Sequence, residues 1–344
     1  MPPRPAGPGK RISRGSGPRT TARWHPDEMT GFRFSHNVFG IASRDEFVAT
    51  CRRAEHNGYD AIFAADHLGA PSPFPLLVAA AAATDRLRVG TLVLNVGFWN
   101  PTLLAREIAT TDILTGGRLE VGLGAGHMKW EFDEAGIAWE PFGVRTERLA
   151  GTVEELRRRF RSDGFEQQAA MRANFGMPVL RPVQRRGFDG SGPPLIVGGT
   201  GDRVLRLAAQ QADVVGVAGA FQIAGQPPGT FRIATAAETD ERVRYARGCA
   251  GDRAARIEWQ ILVQAVIETD DRASAAAELA RRFGDVMAVE DILETPFVLL
   301  GTVDEMARQV AANRDRYGFT HFTVHEPHAD TFAPVIAAIR AHRG

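Results

Sequence analysis

The chain has 344 residues, 44% of them apolar, and its 41 basic side chains are balanced by 41 acidic ones. That length and core content suit one large α/β domain, and the charge balance gives no reason to expect a nucleic acid or another polyanion as partner. Its two cysteines, Cys51 and Cys249, form no CxxC pair, which reads as reduced thiols in a cytoplasmic protein, and no run is apolar for long enough to predict a membrane span.

Residues 1–28 are rich in Pro, Gly and Arg and lack the apolar stretch of a secretory signal. They are expected to form a disordered basic tail, because they cannot bury enough surface to offset their ordering entropy. Residues 29–344 read as a single domain in which strand-like and helix-like runs alternate. Phe32–Val38 is the first strand. Ser43 with Glu46 forms a capping-box signature for a helix lined by Phe47, Cys51 and Ala54, and Gly58 stops it. A short strand at Asp60–Ala64 precedes an alanine-rich helix over Pro75–Thr84. Leu87–Asn95 reads as one buried strand, followed by a helix over Thr102–Leu114 that Gly116 and Gly117 break.

The next strand, Arg118–Gly122, runs into a glycine-rich exit, and a helix covers Thr146–Phe160. Residues 161–192 look irregular, as an insertion would. Pro194–Val197 leads through Gly198-Gly-Thr-Gly201 into a helix with Val204, Leu207, Ala208 and Gln211 on one face. Asp213–Val217 is a strand, Thr239–Gly248 a helix, and Arg256–Glu268 contains a strand followed by helices. Thr302 and Glu305 form a second capping-box signature, Gly318 ends that helix, Phe319–His325 is the last strand, and Thr331–His342 the last helix. Eight strands, each followed by helix, predict a (β/α)8 TIM barrel with insertion segments, with an open doubly wound sheet as the rival.

Chemistry in such barrels sits beyond the strand C-termini, and three exits there carry unusual residues. Asp66-His67 follows the second strand, and a carboxylate beside an imidazole suits proton transfer near neutral pH. Gly122-Leu-Gly-Ala-Gly-His127 follows the fourth. It is not a dinucleotide fingerprint, since His127 stands where Gly or Ala is needed, but alternate glycines let a planar ring or phosphate approach the backbone. Gly198-Gly-Thr-Gly201 opens a helix whose free N–H groups favour a phosphate, with Asp202 as a counter-argument. His321, His325 and His328 with Glu326 and Asp330 suggest a metal cluster. Four residues along a strand separate His321 from His325 by more than ~12 Å, however, so no metal is expected. No GxSxG is present, which excludes a nucleophile elbow.

Together these segments resemble the luciferase-like monooxygenases. The resemblance rests on Ala61-Ile-Phe-Ala-Ala-Asp-His67, Asn100-Pro-Thr-Leu-Leu-Ala-Arg106, Thr110-Thr-Asp-Ile-Leu-Thr-Gly-Gly-Arg118, Gly122-Leu-Gly-Ala-Gly126, Pro194-Leu-Ile-Val-Gly-Gly-Thr-Gly201 and Ala208 to Asp213, which come in the family's order. It covers nearly everything from Phe32 to Arg343 and is closest to the branch that uses coenzyme F420. It implies a luciferase-like barrel with the cofactor ring across the strand C-termini. Asp66 and His67 would lie near the ring, with Asn95, Val96 and Gly97 behind it. Gly124, Gly126 and His127 would form the fourth-strand loop, and Gly198, Gly199, Thr200 and Gly201 would hold the phosphate side.

Many relatives carry Trp or Glu where His127 stands, and the lysines that hold a sugar phosphate in some of them have no counterpart. The only lysines are Lys10 and Lys129. The resemblance thus implies an F420-dependent oxidoreductase passing hydride to or from a small organic substrate. His67 is the leading general acid/base, with His127 and Glu131 next. The alternatives are an FMN-dependent two-component monooxygenase and a barrel that binds flavin or another ligand without catalysis. A homodimer and a separate flavin or F420 reductase are the expected partners, with no nucleic acid and no membrane.

Overall fold

Short runs of Val, Ile, Leu and Phe, too apolar to expose either face, bury themselves by pairing in parallel and taking helices as cover. In the computed structural model, which describes residues 31–284 and 286–341, eight such strands close on one another. They are β1 (Arg33–Val38), β2 (Ala61–Ala64), β3 (Arg88–Thr91), β4 (Leu119–Gly124), β5 (Leu195–Gly199), β6 (Val214–Val217), β7 (Glu258–Val263) and β8 (His321–His325). Each pairs in parallel with the next, and β8 pairs with β1, so the sheet is a closed (β/α)8 barrel. The expected tail at 1–28 lies outside the described residues. Among those residues no helix is long and apolar enough to cross a membrane.

Three departures from the predicted elements shape the mouth of the barrel. The run Leu87–Asn95 is not one strand: β3 stops at Thr91, and Leu94–Asn95 resumes pairing with the upper end of β4. The Thr91 hydroxyl accepts the Gly122 N–H and donates to the Gly122 carbonyl, both at 2.9 Å, so a side chain replaces the ladder bonds there. Only glycine fits opposite, because a Cβ at Gly122 would collide with the Thr91 carbonyl oxygen. The run Arg256–Glu268 also divides. After β7, Ala265–Glu268 leaves the barrel and pairs with Val298–Gly301, a strand the sequence reading lacks. An antiparallel hairpin of Ala220–Gln222 and Phe231–Ile233, likewise unforeseen, stands beyond β6.

Helix ends follow local chemistry. Thr302 and Glu305 form the reciprocal box expected of them, and Thr235 and Glu238 form another; Ser43 accepts the Glu46 N–H. Residues 161–192 are largely irregular, with one short helix at Ala169–Phe175. Asp112 ties this segment down by accepting the N–H groups of Val183 (2.7 Å) and Gln184 (2.9 Å).

At the N-terminal end of the strands, Arg33 bridges Glu120 and Glu258, both at 2.6 Å, and Arg88 also pairs with Glu120. Burial alone would raise the Glu120 carboxyl, but Arg33 and Arg88 outweigh it and hold the group at about 2, against 4.5 for a free glutamate. A carboxyl depressed in the fold contributes stability that is present above its unfolded pKa and lost as pH falls through its folded one. Chemical unfolding of the wild type should therefore show stability declining from about pH 4.5 toward pH 2, and Glu120→Gln should flatten that limb while lowering stability at neutral pH. An acid limb of unchanged slope in Glu120→Gln would remove Glu120 as its source.

Candidate functional site

A cavity of about 650 Å³ opens at the C-terminal ends of the strands. One edge is built by the exit of β2. Asp66 Oδ2 accepts the Asn95 N–H at 3.1 Å and the Trp99 indole N–H at 2.8 Å, which ties this exit to the strand extension at Leu94–Asn95. Burial pushes the Asp66 carboxyl up, against the pull of those two donors. With both donors on one oxygen, Asp66 serves as a post for its neighbour.

That neighbour, His67, places Nδ1 2.8 Å from Glu131 Oε1, which also accepts the Leu68 N–H at 3.2 Å. Glu131 lies on the short helix Lys129–Glu134, absent from the sequence reading, and its side chain is only 2% exposed. A carboxylate oxygen that accepts a main-chain N–H is an acceptor toward the imidazole too. The His67 proton therefore sits on Nδ1, and Nε2 is the ring nitrogen left for a ligand in the cavity. His127 meets His67 edge to face, ring centres 5.4 Å apart, and its other neighbour is Phe231 of the hairpin at 5.6 Å. His127 is exposed at the cavity rim, yet desolvation by the surrounding protein, then repulsion from His67 and Arg145, lowers its imidazole to about 4.

The glycine-rich exits line the cavity as backbone surface. Gly124, Gly126, Gly198, Gly199, Thr200 and Gly201 all reach it. Gly126 has φ +75°, and a Cβ there would stand 2.5 Å from Asn95 Oδ1, so the loop passes closer to the strand extension than any side chain allows. Gly201 caps the helix Asp202–Gln211, whose first N–H groups face outward from its start. Asp202, the counter-argument to an anion here, pairs with Arg242 at 2.5 Å, a guanidinium it shares with Glu241, which offsets part of its charge. The Thr200 hydroxyl accepts the Ala220 N–H at 3.0 Å, which leaves its proton to donate.

Asp66, His67, Asn95, His127 and Glu131 thus converge on one cavity with the two glycine loops. Val96 and Gly97 do not. Val96 is buried, and a Cβ on Gly97 would stand 2.6 Å from the Phe132 ring, so both lie behind Asn95. The helical turn Val96–Phe98 carries them away from the mouth.

Several lining residues carry no signal in the sequence reading. Arg145 lies 3.7 Å over the Trp139 ring and donates to the main-chain carbonyls of Glu140 and Gly126, with no carboxylate partner among the described residues. Asn37, Gln260 and Gln264 line the cavity too, together with His325, which the sequence suggests only as a member of a metal cluster. His325 Nδ1 is 3.3 Å from Asn37 Oδ1 and Nε2 is 3.2 Å from Gln264 Oε1, and burial with nearby His328 lowers the ring to about 4. The trace that was available is Gln260-Ile-Leu-Val-Gln264, polar residues recurring with the period of one strand face inside an apolar run. His321 sits buried inside the barrel, apart from the mouth. Among the described residues no three His, Cys, Asp or Glu side chains are grouped to hold a metal ion.

A family model described as luciferase-like monooxygenase matches residues 28–321. An F420-dependent glucose-6-phosphate dehydrogenase of Amycolatopsis mediterranei is 32% identical over 39% of this chain and 42% of the relative. The chain thus spans about two fifths of that relative in the match. One of the same description from Microbacterium testaceum is 24% identical over 87% of this chain and 92% of the relative. Among solved structures, a coenzyme F420 dependent tetrahydromethanopterin reductase from Methanopyrus kandleri superposes with a TM-score of 0.66, at 19% identity, over 91% of this chain and 99% of that one, which supports the barrel fold.

Two measurements check the site. The His127 ring, followed by NMR, should titrate with a midpoint near pH 4; a midpoint near 6.5 would mean that water reaches it freely. Gly126→Ala should displace the loop against Asn95 and weaken cofactor binding by tenfold or more, on the order of 1.4 kcal/mol, with the fold retained by circular dichroism. Unchanged binding in Gly126→Ala would separate this loop from the cofactor.

Proposed function

The chain belongs to the luciferase-like monooxygenase family, and we propose that it is an F420-dependent oxidoreductase acting on a small organic substrate. The observation that carries this reading is the buried Glu131 carboxylate on His67 Nδ1, at the edge of a cavity that two glycine-rich loops also line. When bound, F420 supplies hydride transfer at a ring carbon and barely reacts with oxygen, while the protein supplies position and protons.

The residues present fit such a group. Gly124 and Gly126, with Val93 and Asn95 packed where their side chains would stand, present main chain to the cavity, against which a flat ring would lie. The helix start at Gly201 and the Thr200 hydroxyl offer donors to a phosphate. His67 Nε2 takes or gives a proton at a substrate oxygen or nitrogen, and Glu131 stabilises the imidazolium that results. His127, being neutral, adds no competing charge beside His67. Asp66 and Asn95 hold the His67 turn in register with the glycine loop.

The family's description as monooxygenases favours FMN with oxygen as the second reading. Both readings carry partners. An F420 or flavin reductase would renew the reduced cofactor. A homodimer would cover exposed Leu103, Ile113 and Leu114 on the helix Pro101–Leu114, beside exposed Val183, which Asp112 anchors to that helix.

Titrating the protein with oxidised F420 and with FMN, read by quenching of tryptophan fluorescence, separates the readings, since Trp139 lines the cavity. Saturable F420 binding alone supports the proposal, FMN binding with oxygen consumption supports the monooxygenase, and bound cofactor without turnover supports a binding protein. In the F420 case His67→Ala should bind cofactor normally and lose about 10²–10⁴ in kcat, with a smaller loss in Glu131→Gln. Full turnover in His67→Ala would remove it from the chemistry.

A further inference from the structure

The inside of this barrel departs from the usual fill of branched apolar side chains. Starting from Gln260, which lines the cavity, its Nε2 donates to Thr323 Oγ1 at 2.7 Å, Thr323 Oγ1 lies 2.8 Å from Ser35 Oγ, and Ser35 Oγ lies 2.8 Å from His321 Nε2. His321 Nδ1 has no hydrogen-bond partner and faces Glu258 Oε2 at 3.8 Å. Every member is buried, at 5% exposure or less.

Each hydroxyl has one proton, so the chain can run in only two directions. In the reverse direction Gln260 would turn its oxygen to Thr323, and His321 would carry its proton on Nε2. Its bare Nδ1 lone pair would then face Glu258 Oε2. That oxygen already accepts from Arg33 at 2.6 Å and is not a hydroxyl, so the arrangement is repulsive. Burial keeps His321 neutral, so it has one N–H to place. The carboxylate draws that N–H to Nδ1. Ser35 then donates to Nε2, Thr323 donates to Ser35, and the Gln260 amide NH2 donates to Thr323. The remaining atom, Gln260 Oε1, lies beside Gly216, where a Cβ would stand 3.2 Å away, and both residues line the cavity.

We infer that Gln260 recognises the bound ligand by accepting an N–H or O–H from an uncharged group, and that Ser35, Thr323 and His321 are positioning residues that hold its amide oxygen to the cavity. Neighbouring Asn37, Gln264 and neutral His325 match an uncharged group as well. This deepens the proposed function, on which it rests for the ligand's identity. The donor is either the imide N–H of the cofactor ring or a hydroxyl of the substrate.

The test is a double-mutant cycle of Gln260→Leu and Ser35→Ala. F420 affinity is read by tryptophan quenching, and binding of cyclohexanol to the F420-loaded protein by calorimetry. Gln260→Leu should weaken one of the two by about tenfold and Ser35→Ala should weaken the same one by less. The double variant should bind like Gln260→Leu alone, because Ser35 acts only through Gln260. Loss in the F420 arm assigns the ring imide, and loss in the cyclohexanol arm assigns the substrate hydroxyl. Wild-type affinities in Gln260→Leu, or a Ser35→Ala loss that multiplies in full onto it, overturn the inference. Wild-type protein that ignores F420 tells against the proposed cofactor instead, and FMN then replaces it in the same cycle; binding of neither overturns both. If Ser35→Ala does not fold, Thr323→Val breaks the same chain.

Discussion

The contact between Thr91 and Gly122 sets the geometry of the mouth. One hydroxyl answers both the N–H and the carbonyl of the glycine opposite, so β3 ends early without leaving buried backbone groups unpaired. The chain then resumes pairing two residues higher, at Leu94–Asn95. That step brings the Asn95 main chain within reach of Asp66 and its side chain against Gly126. The His67 turn and the glycine-rich exit of β4 are therefore registered to each other through one short segment. A straight third strand would supply neither contact.

Charge is divided between the two ends of the barrel. Opposite charges meet at the lower end, where Arg33 and Arg88 hold Glu120 and Glu258 in buried pairs. Breaking such a group by removing one member is costly because a buried charge is left uncompensated. The upper end is polar and mostly neutral: two histidines lowered to about 4, several amides and a guanidinium satisfied by carbonyls. Between the ends, ordered hydroxyls carry the influence of Glu258 upward to an amide in the cavity.

The order of the eight strands was legible because strands covered on both faces are uninterrupted apolar runs, and their exits stand out as clusters of Gly, Asp and His. Asp66, His67 and His127 were legible for the same reason, whereas Glu131 was named without the short helix that carries it. The resemblance places Val96 and Gly97 with Asn95 as one bulge behind the ring, but a single helical turn carries both of them behind Asn95. The split of Leu87–Asn95 was not legible, since the side chain that causes it bonds to a residue about thirty positions away. The hairpin strands Ala220–Gln222 and Phe231–Ile233 are three residues each, too short for alternation to register. Gln260 and Gln264 read as ordinary members of a strand until closure of the barrel turned one face of β7 inward. Arg145 was invisible because its partners are backbone carbonyls, which leave no mark in a sequence.

The buried ion pairs at the lower end have a consequence for traffic. Arg33, Glu120 and Glu258 are paired across the lower end of the barrel, and the large cavity opens at the opposite, C-terminal end of the strands. Ligands that enter and leave at this end would pass the same hairpin and glycine loops, so entry and exit would share one doorway. Phe231 of the surface hairpin stands against His127 at that doorway, so this part of the rim can change in sequence without disturbing the floor beneath it.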